Sequence, residues 1–430
     1  MPGKRSLKLY EEARQLFPGG VNSPVRAAVK PYPFYVERGE GPYIFTVDGE
    51  KLIDYVLAYG PLILGHRHPR VKAAVEEQLE KGWLYGAPYE PEIELAKKIL
   101  WYYMPGGMIR FVNSGTEATM LAIRLARGYT RRKYIVKFEG CYHGAHDYVL
   151  VGAGSAAAEY GIPASEGVPE EVARLTLIAK YNDIDTVEKI MKKHGDQVAA
   201  IIVEPVVGNA GLILPRDGFL RELRRIADEH GALLIFDEVI TGFRLGLRGA
   251  QEYFGVKADI VTLGKIVGGG FPVGAVAARR EIMEMVTPVG KVFNAGTFNA
   301  HPVTMIAGLE TIRVLEETNP YPAMREAAKR IADTLLDAAG RNGFDVTVNH
   351  IESMVQVFFK PGGVWSYDDA KQSNRKLYDK LHEILLRKGV FIPPSQMETW
   401  FLSAVHTREV IDDTLSAIED AFRELRGAGV

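Results

Sequence analysis

The 430-residue chain contains a single cysteine, Cys141, so it has no intramolecular disulfide framework and a reducing compartment is expected. It also lacks a charge imbalance. Its 52 basic and 54 acidic residues leave a net charge of −2, with both signs scattered, which removes the electrostatic case for nucleic acid or an anionic membrane. No window approaches the ~20 apolar residues of a membrane span. The opening Met1-Pro-Gly-Lys-Arg-Ser-Leu-Lys8 has no apolar run behind its charges. A soluble, cytoplasmic protein is expected. A G-x-x-x-x-G-K-[ST] motif is missing, which argues against a nucleotide site of that kind. There is no internal repeat and no low-complexity tract. Hydrophobic residues (47%) and charged residues (25%) are in ordinary globular proportion, and the length exceeds one core of usual size, so two domains are expected.

What is present reads first as a short amphipathic helix over 6–17, closed by Pro18-Gly19-Gly20. Residues 34–57 alternate around Asp48-Gly49 as a small antiparallel meander. Helices follow at 69–82 and 91–103. From about 108, short apolar strands alternate with helices. The strands are Ile109–Val112, Tyr134–Phe138, Val149–Val151, Val198–Val203, Leu233–Phe236, Ile260–Leu263 and Val273–Ala277, with helices near 117–128, 184–194 and 217–230. That rhythm predicts a large α/β domain on a mostly parallel sheet over 66–303. Long helices at 304–317, 321–341, 368–388 and 408–426, with strands near 353–359 and 400–405, predict a smaller α/β domain over 304–430. The segment 1–65 is expected to join it. The small-residue stretch 152–169 is a candidate lid.

The chemistry concentrates where strands end. Asp259-Ile-Val-Thr-Leu-Gly-Lys265 is an apolar run ending in one lysine, followed by Gly268-Gly-Gly270. Burial there depresses a lysine's pKa and frees its amine as a nucleophile, and glycines let the backbone approach a flat ligand. A Schiff base to a carbonyl cofactor follows, most often pyridoxal phosphate. An exposed lysine before a glycine loop is the bland alternative. Ser114-Gly-Thr-Glu117 opens a helix after a strand; it is either a plain capping box or a phosphate cup built from Ser114, Gly115, Thr116 and the helix dipole. Asp237 ends a buried strand and could hold a protonated pyridine nitrogen; a magnesium-binding pair with Glu238 is the alternative. Cys141, His143, His146 and Asp147 invite a metal reading, but no second cluster completes a structural zinc set, so no metal is expected. Tyr142 is better read as stacking on a planar ring. Asn209 could donate to a ring oxygen, or simply sit in a turn. Arg26 could clamp a carboxylate, although a solvent-exposed turn arginine fits that segment as well. The weight lies in the combination: cup, stacker, nitrogen partner and buried lysine each follow an apolar strand of one sheet.

The chain resembles the class III aminotransferase group of the fold-type I pyridoxal-phosphate enzymes. Within that group it is similar to the glutamate-1-semialdehyde 2,1-aminomutase family. The likeness spans nearly the whole chain. It is carried by Phe17-Pro-Gly-Gly-Val-Asn-Ser-Pro-Val-Arg26, Gly65-His-Arg-His-Pro69, Asn113-Ser-Gly-Thr-Glu-Ala118, Gly140-Cys-Tyr-His-Gly144, Asp237-Glu-Val-Ile-Thr-Gly-Phe-Arg244, Thr262-Leu-Gly-Lys-Ile-Val-Gly-Gly-Gly270, Gly296-Thr297 and Pro394-Ser-Gln-Met-Glu398. The first and last of these are the more specific to the aminomutases. Three departures stand out: Tyr59 where tryptophan is usual, the order Gly144-Ala-His146-Asp147, and Asn299-Ala-His-Pro302.

The resemblance implies that Lys265 carries the cofactor and shuttles a proton, and that Asp237 pairs with the pyridine nitrogen. Val239 and Tyr142 would flank the ring, and Asn209 would reach its oxygen. Ser114, Gly115 and Thr116 would hold the phosphate, with Thr297 arriving from a second subunit of a homodimer with shared active sites. Ser23 and Arg26 would bind the substrate carboxylate, and Ser155 would lie in the gating segment. Glu398 would stand where many relatives carry an arginine for the α-carboxylate, so it disfavours ordinary amino donors. The implied reaction is an internal transamination of glutamate-1-semialdehyde to 5-aminolevulinate, for tetrapyrrole synthesis, through 4,5-diaminovalerate, with pyridoxal and pyridoxamine phosphate alternating. The competing readings are an intermolecular ω-aminotransferase and a non-catalytic nucleotide- or metal-binding protein.

Overall fold

The alternation of apolar strands and helices builds a seven-stranded sheet. Its order is Met108–Val112, Gly274–Ala278, Ile260–Gly264, Leu233–Asp237, Val198–Val203, Tyr134–Phe138 and Thr176–Ala179 in this computed structural model, which describes residues 2–153 and 161–427. Gly274–Ala278 runs antiparallel to both its neighbours, and the other pairings are parallel. Val198–Val203, Leu233–Asp237 and Ile260–Gly264 are buried along their whole length, as strands covered by helices on both faces must be. Parallel strands end at one edge. The start of the single antiparallel strand joins them there, because Gly274 pairs with both Gly264 and Val112. Glycine is required at 274, since a Cβ would lie 2.1 Å from the Ser114 carbonyl oxygen.

Two expected elements differ. Val149–Val151 does not enter the sheet; Val151–Ala153 instead pairs antiparallel with Gly161–Pro163 as a separate two-stranded hairpin. The sheet's outer strand is Thr176–Ala179, a run too short to carry a periodic signal. The helix expected over 368–388 is two, Tyr367–Lys371 and Arg375–Arg387. The Asn374 side chain caps the second by accepting from the Lys376 and Leu377 N–H groups.

The meander is present as Val36–Glu40, Tyr43–Thr46 and Lys51–Asp54, and Val390–Phe391 adds to it in parallel. A third sheet holds Thr347–Ile351, Met354–Phe358 and Trp400–Phe401. Ile53 and Tyr55 pack in one core with Ile331, Leu335, Tyr378, Trp400 and Phe422, so both ends of the chain share a core. Helix Pro302–Thr318, expected to open the smaller domain, buries Met305, Leu309 and Ile312 in the core on one face of the large sheet. No helix among the described residues is long and apolar enough to cross a membrane.

One turn is unusual. Leu57, Ala58 and Tyr59 all have positive φ (46°, 55° and 65°), and Gly60 follows at 119°. Left-handed backbone costs a non-glycine residue roughly 1–2 kcal/mol, so three in a row need external support. Asp54 supplies part of it: its Oδ1 accepts from the Val56 and Leu57 N–H groups at 2.8 and 3.0 Å.

Candidate active site

The sheet's shared edge opens into a cavity of about 410 Å³. Ser114, Gly115, Thr116, Tyr142, Asn209, Asp237, Val239 and Lys265 all line it. These residues lie up to 151 positions apart along the chain (114 to 265), and the parallel strands bring them together.

At one end is the N-terminus of helix Gly115–Thr130. Ser114 caps it, its Oγ accepting from the Glu117 N–H at 3.1 Å, while the Glu117 carboxylate accepts from the Asn113 N–H at 2.8 Å. The Ser114 cap and the cup are therefore one structure. The cap satisfies Glu117, and the first N–H groups of the helix keep their positive end toward the cavity. A Cβ on Gly115 would press Val239 at 3.2 Å, and one on Gly144 would meet the Thr116 Cα at 2.6 Å. Both glycines thus keep this end of the cavity open.

Asp237 lies deeper. Its Oδ2 is 2.7 Å from His143 Nδ1, and its Oδ1 accepts from the Val239 N–H and the Thr262 hydroxyl, each at 3.1 Å. His143 is the partner of Asp237. Beneath Asn209 sits Glu204, fully enclosed. It accepts from Asn209 Nδ2 at 2.6 Å, from the Tyr142 N–H at 3.1 Å and from the Gly208 N–H at 3.4 Å. Burial and then the charge of Asp237 push its pKa up to about 8, against three donors that favour the anion.

Lys265 directly follows strand Ile260–Gly264 with φ 48°, and its Nζ donates to the Tyr59 carbonyl at 2.7 Å. The side chain is enclosed. Burial lowers its pKa most; Arg244 lowers it further, while Glu398, Glu204 and Asp237 raise it. Glu398 is pushed up to about 7 by burial, with Lys265 pulling the other way. The Tyr59 phenol is raised by burial and then by Glu398, and the Arg26 charge reaches it too.

Of the expected residues that are described, Ser23, Arg26, Thr297 and Glu398 do not line this cavity. Ser23 is partly buried at the start of the turn Pro24–Ala28, and Arg26 is exposed. Thr297 is exposed in an apolar stretch, between Phe293 (67% exposed) and Phe298 (54%). Ser155 lies outside the described residues. Sequence reasoning passed over Tyr59, Glu204, Arg244 and Thr262 as working parts, and assigned His143 no task. Apart from the pair Glu204 and Asn209, five positions apart, the partners of these residues are 25 to 206 positions away, which no local pattern reveals.

The residues present fit a flat cofactor with a phosphate at one end and a basic ring nitrogen at the other. The donor set runs from the helix N-terminus at Ser114–Thr116 to the carboxyl acceptor Asp237, with the Lys265 amine at the side and glycine-built space between.

The profile of the class-III aminotransferases matches residues 25–422. The chain is 73% identical over 426 residues to a protein of Hyperthermus butylicus called glutamate-1-semialdehyde 2,1-aminomutase, covering 99% of this chain and all of that one. It is 59% identical to the protein of that name from Aeropyrum pernix, over 99% of both. Among solved structures, an omega-transaminase from Sphaerobacter thermophilus superposes with a TM-score of 0.93 at 34% identity, over 99% of both chains.

Proposed function

The chain belongs to the class-III aminotransferase family, and from that premise we propose that it converts glutamate-1-semialdehyde into 5-aminolevulinate, a tetrapyrrole precursor, by transferring an amino group within one carbon skeleton. Beside the names of its full-length relatives, the observation that carries this reading is the partly buried carboxylate of Glu398, whose charge acts on Lys265. A carboxylate there repels the α-carboxylate of an external amino donor and leaves an internal exchange as the favoured course.

Pyridoxal phosphate, alternating with pyridoxamine phosphate, supplies a reversible amino carrier and an electron sink when bound. Ser114, Gly115 and Thr116 would hold its phosphate, Asp237 its ring nitrogen, Asn209 its ring oxygen, and Tyr142 and Val239 its two faces. Lys265 Nζ takes a proton from the substrate carbon and returns it at the neighbouring position of the reaction path; its lowered pKa supports that task near neutral pH. Ser23 and Arg26 bind the substrate carboxylate, a role supported by the reach of the Arg26 charge to Tyr59 at the cavity. The diamine formed midway must stay bound until its other amine reacts, so water and exchange have to be kept out.

The working unit is a homodimer. Trp83 (62% exposed), Phe293 and Phe298 support it. They form one neighbourhood through Tyr85, whose ring stands 5.8 Å from that of Tyr89, which in turn donates to the Ala300 carbonyl at 3.0 Å. Thr297 lies on this face, and in the dimer it reaches the phosphate of the second copy. The cytoplasm is the expected location, supported by the single, buried Cys141.

The second reading, an intermolecular ω-aminotransferase, draws on the likeness to the solved omega-transaminase. One experiment separates the two. The protein is loaded with pyridoxamine phosphate, freed of excess cofactor and given glutamate-1-semialdehyde with no amino donor. Many turnovers of 5-aminolevulinate per site are expected. A single turnover, restored by alanine or glutamate, would transfer the assignment to the aminotransferase.

A further inference from the structure

We propose that Arg244 is a positioning residue for Lys265: its guanidinium grips the Gly60 carbonyl, and the left-handed turn ending there thereby holds the Tyr59 carbonyl against the Lys265 amine as the acceptor on which the free amine rests. The inference rests on Lys265 being the reactive amine, and not on which substrate is used.

Arg244 is fully buried, without a carboxylate partner among the described residues. A buried guanidinium is retained at such cost only if its neighbours use it. Its Nη2 donates to the Gly60 carbonyl at 2.5 Å; its Nη1 donates to Ser353 Oγ at 2.9 Å and to the Leu402 carbonyl at 3.1 Å. Its Cζ lies 4.8 Å from the Phe401 ring centre, and its Nε has no partner among the described residues. One side chain therefore links the segment behind Asp237, the turn Leu57–Gly60 and the third sheet, whose strand Trp400–Phe401 follows Glu398 closely.

The turn is strained and held at both ends. Asp54 takes the N–H groups at its start, and Arg244 takes the carbonyl at its finish. Between them, the Tyr59 carbonyl is aimed at Lys265 Nζ at 2.7 Å. A Cβ on Gly60 would stand 3.3 Å from Lys265 Cδ, so the turn also borders the lysine's stem. A free amine that must leave and re-enter the reaction needs a fixed resting place, or each return costs a search. The like charge of Arg244 adds a second influence, pushing Lys265 toward its neutral form while Glu398, Glu204 and Asp237 oppose it.

The test uses Arg244→Met and Arg244→Lys in the full chain, stripped of cofactor. Two quantities are measured. One is the rate at which Lys265 captures added pyridoxal phosphate between pH 6 and 10, followed by absorbance. The other is amide exchange in the peptide covering residues 55–62. Both variants are expected to exchange faster there and to capture more slowly on the high-pH plateau, by roughly tenfold. In Arg244→Met the midpoint also moves up by about one pH unit, the effect of a single nearby charge. Arg244→Lys keeps the charge and so the midpoint. If Arg244→Met does not fold, Arg244→Lys decides. Faster exchange with an unaltered capture profile would leave Arg244 a structural residue only and overturn the proposal. Slower capture with unaltered exchange would also overturn it, because the turn would not be the link. Capture of cofactor does not involve the substrate, so this result and the assignment of the reaction can fail separately.

Discussion

His143 Nδ1 lies 2.7 Å from Asp237 Oδ2, and both side chains are buried. Burial lowers the histidine's pKa, even with Asp237 pulling it up, so the imidazole is neutral near pH 7 and donates its single N–H to the carboxylate. The Val239 N–H and the Thr262 hydroxyl donate to the other oxygen. Three donors converge on Asp237, which makes it the acceptor that a cationic partner would meet. Asp237→Asn is expected to lower turnover by about 10²-fold or more. His143→Leu removes one donor to a charged group and should cost roughly tenfold. Steady-state kinetics on the two variants checks the order; equal losses would contradict it.

Lys265→Ala removes the only side-chain amine on the cavity wall among the described residues. It should abolish the cofactor's lysine-linked absorbance and reduce turnover by at least about 10³-fold, since both proton transfer and covalent attachment are lost. Turnover at the wild-type level would end the proposed mechanism.

Glu398 titrates within the working range. It is pushed up to about 7 by burial, so it gains a proton as pH falls through that value. Protonation removes the repulsion of a donor's carboxylate. With alanine or glutamate as donor, the half-reaction is therefore expected to run faster at pH 6 than at pH 8 in the wild-type protein. In Glu398→Gln it should be at least about tenfold faster at pH 8 and insensitive to pH over this interval. Rapid-mixing absorbance on the two proteins reads both effects, and matching profiles would remove Glu398 from donor discrimination.

Glu204 makes stability depend on pH in a definite direction. Its folded pKa, about 8, is raised above the ordinary value of 4.5. The folded state therefore keeps a proton that the unfolded chain gives up. The contribution of this group is complete below about 4.5 and is lost as pH rises to about 8, with a slope of at most about 1.4 kcal/mol per pH unit. Guanidinium midpoints of wild type and Glu204→Gln, taken at pH 5, 6.5 and 8 without cofactor, should converge or cross as pH rises. Parallel profiles would show that the three donors hold the carboxyl ionised instead.

The exposed aromatic face predicts an assembly. Phe293→Asp combined with Phe298→Asp places two charges where a second copy would seat, and like charges in an apolar contact are strongly disfavoured. Analytical ultracentrifugation should show a monomer, and pyridoxal phosphate should be held at least about tenfold more weakly through loss of the second copy's Thr297. A double variant that remains a dimer would place the contact elsewhere.

The apolar strands from Met108 to Ala278 and the residues that end them were legible in the order of amino acids. Runs such as Val198–Val203 can only be covered strands, and parallel strands put Ser114, Tyr142, Asn209, Asp237 and Lys265 at one edge. What local order could not contain was pairing at a distance. Val149–Val151 reads as a sheet strand, but the strand that forms there is Val151–Ala153 and it pairs with Gly161–Pro163, while four residues at Thr176 take the sheet's edge. The acceptor for Lys265 comes from a left-handed turn 206 positions earlier, and the guanidinium that grips that turn is 184 positions from it. Periodicity reports which face of an element is buried. Which polar atoms meet inside is decided only when strands from distant parts of the chain close on the same edge and most buried donors have to find an acceptor.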